Sequence, residues 1–127
     1  MDKEQYVTHE TSQLLKEKGF DWEVRSLYGN YQQDLGFSSW SNNYNTYDDL
    51  YSAPTQQMAM RWFWEEKGLN INAIYGDYPA LKKSFWMPQI VSLEDTYGTE
   101  DEDFFREYDS REDCIESALQ YCLTNLI

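Results

Sequence analysis

One histidine, two cysteines and a long run of carboxylates are the residues of this chain whose types suggest chemistry. His9 stands beside Glu10, and no second histidine exists to assist it. A Ser-His-Asp or Cys-His relay would have to be built on that single base, so a triad hydrolase is not expected. Cys114 and Cys122 fall in one expected helix; at ~1.5 Å rise per residue they sit ~12 Å apart, beyond disulfide reach. One histidine and two cysteines on a single helix serve zinc poorly, so both thiols read as small buried hydrophobes. Gly29, Gly36 and Gly68 are isolated, with no Gly-Lys-Ser/Thr after any of them, so no phosphate-cradling loop is present.

The carboxylates are the strongest compositional signal. Between Glu94 and Glu116 eleven of them face only Arg106 and Arg111, giving this segment −9 of the chain's net −13. Calcium is the first chemistry to weigh, because hard cations need six to eight oxygens in a fixed array. Counted from Asp101, the sixth position of an EF-hand loop would be Arg106 where a glycine is required, so no such site is expected. Paired carboxylates could serve glycoside hydrolysis, but nothing in the spacing favours it. The reading is therefore no cofactor, no metal and no enzyme. A chain this acidic repels nucleic-acid phosphates and anionic membranes and attracts basic surfaces. Lys82-Lys83 is the one basic pair, too little for a nucleic-acid groove.

These residues need elements to hold them. A first helix is expected over 7–18, capped by Thr8 and stopped by Gly19. Phe20 to Tyr28 alternates with period two, as a half-buried strand does, with Phe20, Trp22, Val24 and Ser26 on one side. Gly29-Asn30 suits a hairpin turn, with Tyr31 to Phe37 returning as a second strand. A second helix runs to Lys67 and Gly68, with Pro54 in its first turn and Met58, Ala59, Trp62 and Phe63 as its main stripe. Met60 and Trp64 lie opposite that stripe.

Residues 69–76 read as a strand with Leu69, Ile71, Ala73 and Tyr75 inward, and Gly76-Asp77-Tyr78-Pro79 as a turn. Residues 84–91 give another strand, which Pro88 places at an edge or a bulge. The stretch 94–103 reads as a solvated loop with no structural task legible in the sequence. Phe104 to Tyr108 is a candidate short strand. Ser110 and Asp113 open a last helix whose Ile115, Ala118, Leu119, Cys122 and Leu126 face a core.

Residues 29–52 contain no Lys or Arg and are rich in Tyr, Ser and Asn. That is the composition antibody paratopes use, with rigid aromatics for contact and small polar groups for hydrogen bonds. Beside a strong acidic field it suits capture of a basic protein. The expected contact residues are Trp40, Tyr44, Tyr47 and Trp64, with Glu100, Asp101, Glu102 and Asp103 supplying charge. The blander alternative is that the tyrosines roof the core and cover Trp64.

The run from Ala53-Pro54-Thr55-Gln56 through Trp62-Phe63-Trp64 to Ile71 resembles a group of small gut-bacterial and phage-associated proteins of no known activity. So do Leu15-Lys16-Glu17-Lys18-Gly19-Phe20 and the closing helix from Tyr108 to Ile127. The resemblance covers most of the chain but lies in core and capping positions, so it implies a shared fold and a phage or mobile-element setting, without a catalytic residue.

At 127 residues one domain spanning 1–127 is expected. The high aromatic content argues against disorder despite a mean hydropathy of −0.80. No apolar run approaches the ~20 residues of a membrane span, and the N-terminus lacks a secretory pattern, so the expected location is the cytoplasm. The expected fold class is α+β, a small, mostly antiparallel sheet with three helices. The expected function is a non-enzymatic module that binds a basic protein, its oligomeric state left open. A DNA-mimicking or immunity-type inhibitor is the second reading, and a small enzyme or carbohydrate-binding domain the third.

Overall fold

The computed structural model describes residues 5–30 and 32–127, so Tyr31 of the expected second strand lies outside the described residues. The architecture is α+β, with three α-helices and two antiparallel three-stranded sheets where a single sheet was expected. The chain gathers into two compact units, the first ending at Ala59 and the second spanning Met60–Ile127.

In the first unit α1 (His9–Glu17) is capped by Thr8, whose side chain accepts from the Thr11 N–H, and Gly19 closes it at φ +88°. Thr, Ser and Asn lead at such caps because a short side-chain oxygen can reach an orphan N–H. Strand β1 (Val24–Gly29) is central, with β2 (Gln32–Asn42) on one side and β3 (Leu50–Ser52) on the other. The period of two holds in part: Phe20, Val24 and Ser26 are buried, but Trp22 is only half-buried and the strand begins at Val24, with Phe20 to Glu23 outside it. Strand β2 runs well past Phe37 into what read as loop. Ser26 pairs with Phe37 and Val24 with Asn42, so β2 uses five residue steps against two on β1. The excess bows out around Trp40.

The segment 43–52 is ordered by its own polar side chains. Asn43 Oδ1 accepts from the Asn45 N–H at 3.0 Å. Asn45 Oδ1 accepts from the Ser52 N–H and its Nδ2 donates to the Phe20 carbonyl, both at 2.8 Å. Lys16 Nζ reaches across from α1 to the carbonyls of Tyr47 and Leu50 at 2.5 and 2.8 Å and lies over the Tyr51 ring. Much of the Asn and Ser content that resembled a paratope is therefore spent on holding the loop.

Helix α2 (Gln56–Trp62) crosses from one unit to the next and continues as a π-helical turn, Phe63–Lys67, to Gly68 at φ +68°. Pro54 precedes the helix and does not sit in its first turn; the cap is Thr55, whose Oγ1 accepts from the Met58 N–H at 3.1 Å. Ala59, Trp62 and Phe63 are buried as expected, whereas Met58 of the same stripe is only half-buried.

In the second unit β4 (Asn70–Tyr78) and β5 (Lys83–Val91) form a hairpin with unbroken register, and β6 (Thr96–Tyr97) adds to the other side of β5. The turn is Pro79–Leu81 with Lys82 left-handed, three residues later than expected, because Gly76 to Tyr78 stay paired with Phe85 to Lys83. Tyr75 was expected inward but is exposed. Helix α3 (Arg111–Tyr121) packs on β4 and β5, and burial is complete at Ile71 and Ile90 but fades toward the hairpin tip.

Pro88 sits in the central strand without cost to the hairpin ladder. Trp86 turns both its N–H and its C=O to Tyr108, each at 2.8 Å. Two residues on, the missing N–H of Pro88 points to the same outer side, between the Tyr108 bridge and β6. The candidate strand at Phe104 to Tyr108 is reduced to that one bridge. Ser110 caps α3 by accepting from the Asp113 N–H at 3.0 Å, and a π-helical turn Cys122–Leu126 follows. Leu123 is fully buried, whereas Leu126 keeps partial exposure and is not the core residue expected.

Candidate functional site

The residues that sequence suggested as a contact surface divide between the two units. In the first, Trp40 is 77% exposed on the bulge of β2. The bulge is fastened: Ser38 Oγ accepts from the Trp40 N–H at 3.1 Å, and the Tyr44 hydroxyl donates to the Trp40 carbonyl at 2.6 Å. Tyr44 itself is buried, so it supports Trp40 and offers nothing to a partner. Tyr47 is half exposed, its carbonyl held by Lys16.

In the second unit Trp64 is 51% exposed on the π-helical turn after α2 and is not covered as the blander reading expected. Its neighbours Trp62 and Phe63 are buried edge to face at 5.1 Å. Trp64 lines a shallow groove with Leu69, Leu93, Tyr97, Leu126 and the Lys67 and Glu94 side chains. Leu93 is 95% exposed at the corner of a tight turn. That turn is fixed: Ser92 N–H donates to the Asp95 carbonyl at 2.9 Å, and Ser92 Oγ accepts from the N–H groups of Glu94 and Asp95. A fully exposed leucine on an ordered turn is apolar surface held in water.

Tyr97 also lines a second hollow, walled by Asp95, Thr96, Glu100, Asp101, Glu102, Asp103 and Tyr121. The four carboxylates from Glu100 to Asp103 are all exposed and make no ion pair among the described residues. Their loop is nevertheless ordered. Asp101 accepts from the Asp103 and Phe104 N–H groups at 3.0 and 3.3 Å, and Asp95 accepts from Thr96 at 2.8 Å. Part of the acidity that had no legible task thus caps turns. Among the described residues no three His, Cys, Asp or Glu side chains converge as metal ligands do. Arg106 lies over the Tyr108 ring at 4.1 Å.

The other candidate chemical groups are structural. His9 stacks on Tyr28 at 4.9 Å and meets Tyr51 edge-on. Cys114 and Cys122 are free and fully buried, and burial pushes their thiols up from 9.0 to about 11 and about 12. Thiols held neutral in this way are poor nucleophiles.

Trp64 and the carboxylates were legible in the sequence, whereas Leu93, Tyr97 and Leu126, which complete the groove, were not. Leu93 has no periodic partner, so only its isolation between Ser92 and Glu94 hinted at exposure. No family model matches this chain, and neither a curated protein nor a solved structure matches it significantly. No helix of the described residues is long and apolar enough to cross a membrane.

Proposed function

We propose that this protein is a non-enzymatic interaction module, and that its second unit captures a basic protein surface carrying an apolar anchor. The carrying observation is the shared wall at Tyr97: an apolar groove bearing Trp64 and Leu93 adjoins a hollow of unpaired carboxylates. Tryptophan in a groove is the residue type that most often anchors an interface. The neighbouring charge speeds encounter with a basic partner and rejects acidic ones. Trp40, displayed on a fastened bulge of the first unit, is a second anchor of the same kind. The phage or mobile-element setting rests on the resemblance of the α2 and α3 segments.

Affinity capture from the native host tests this reading. The wild-type chain should recover a basic partner at low salt and lose it as salt rises. Trp64→Ala with Leu93→Asp should abolish recovery, and neutralising Glu100 to Asp103 as amides should weaken it and flatten the salt dependence. Equal recovery by all three would overturn the reading.

A further inference from the structure

The outer edge of β4 is a nine-residue strand edge that, among the described residues, no other strand of its sheet covers. Long regular edges usually carry protection: a bulge, a proline, an inward charge or a lysine. Strand β4 has none of these in Asn70 to Asp77 except Asp77, and its register with β5 is unbroken. Because Trp86 turns its N–H and C=O away from β4, its partner Tyr75 turns its own toward the free edge. Period two places the same groups of Ile71, Ala73 and Asp77 on that edge. Ile74 and Tyr75, at the middle of the strand, have exposed side chains.

We propose that two copies of this chain join antiparallel along β4, making one continuous six-stranded sheet. The strand is suited to pair with itself. Full overlap of Asn70–Tyr78 with its copy sets the two-fold axis at Ile74. Ala73 then faces the partner's Tyr75, and Ile71 the partner's Asp77. All four have their N–H and C=O turned to the free edge, so each facing pair exchanges two hydrogen bonds. A register shifted by one would set outward groups against inward ones.

Charge selects the same arrangement. The hairpin tip carries Lys82 and Lys83, exposed and without an ion pair among the described residues. Antiparallel overlap brings that tip toward the start of the partner's β4, which follows the turn carrying the exposed Glu65, Glu66 and Lys67. Two-fold symmetry makes the contact twice. The net charge of −13 opposes self-association, but the carboxylate hollow lies beside β6, at the opposite edge of the sheet. Two strand spacings put it ~10 Å from β4, about one Debye length at physiological salt. This self-association goes beyond the binding function and does not depend on it.

Sedimentation of the full chain from about 1 to about 100 µM, where micromolar affinities register, is the test. Wild type should dimerise. Tyr75→Pro removes an edge donor, together with the Tyr75 ring that meets Trp86 edge-on at 5.2 Å, and should return the chain to a monomer. The charge variants test the geometry without touching β4. Lys82→Glu with Lys83→Glu should weaken the dimer about tenfold or more, as should Glu66→Lys, by placing like charges together. Mixing those two variants should restore dimers, because each tip then meets an opposite base. A wild-type monomer throughout the range overturns the proposal. So does a dimer that both charge variants leave unchanged, or one that mixing fails to rescue.

Discussion

Gly98 shows how narrowly the acidic hollow is built. It sits just past β6 at φ +83°, and a Cβ there would approach Phe104 ring carbons at 2.7 and 2.9 Å. Phe104 cannot yield easily, since it is buried and stacked on Tyr121 at 4.3 Å. Gly98→Ala should therefore destabilise the second unit by ~2–3 kcal/mol, combining backbone strain with overpacking, and a urea melt would show it. The cysteines give a second prediction at this scale. Their folded thiols ionise only near pH 11 and 12, against 9.0 for an ordinary thiol. Below pH ~9 the neutral forms match in folded and unfolded chains, and stability from this source is whole. As pH rises from ~9 toward 12 the unfolded chain loses protons first, so stability falls. Cys122→Ala should show a shallower decline over that window in parallel urea melts. Both thiols were legible as buried hydrophobes because their helix spacing matched Ile115, Ala118 and Leu119. Gly98 was not, because nothing in the sequence says that Phe104 returns to cover it.

Elements were legible where a local rule set them. Thr8, Gly19, Gly68 and Ser110 stand at helix ends because caps depend on nearby backbone. The length of β2 was not legible, because a strand that spends five residues against two obeys no simple period. In the segment 29–52 the tyrosines are the conspicuous residues, whereas the order of its second half comes from Asn45 and from Lys16 on α1. Lys16 holds three loop carbonyls, those of Tyr47, Asp48 and Leu50. Lys16→Met keeps the packing stem and removes these charged donors. It should cost the first unit ~1–3 kcal/mol, with faster amide exchange confined to 43–52. Trp40→Ala, at a side chain mostly in water, should change stability by less than ~0.5 kcal/mol while removing a contact residue. Comparing the two variants separates what holds the loop from what the loop displays.

Over the whole molecule, charge and apolar exposure are arranged unevenly. The segment 94–116 carries −9 of the net −13, and its hollow beside β6 adjoins the groove of exposed Leu93 and Trp64, while the strand at the opposite edge of that sheet carries Asp77 and leads into Lys82-Lys83. Composition made the acidity plain, but only the fold joins it to an apolar groove through Tyr97. Leu93 and Tyr97 reach that groove from a turn and a two-residue strand, neither of which has a periodicity to read. On the proposed function, this groove and hollow act together on a basic partner. The measurement that bears on it most directly is the partner's affinity for wild type, for Trp64→Ala/Leu93→Asp, and for the chain with Glu100 to Asp103 neutralised, each at low and at physiological salt. The groove variant should lose binding at both salts, by ~2 kcal/mol or more as for an interface anchor. The neutralised chain should lose affinity mainly at low salt. Wild-type affinity in both variants, with unchanged salt dependence, would contradict it.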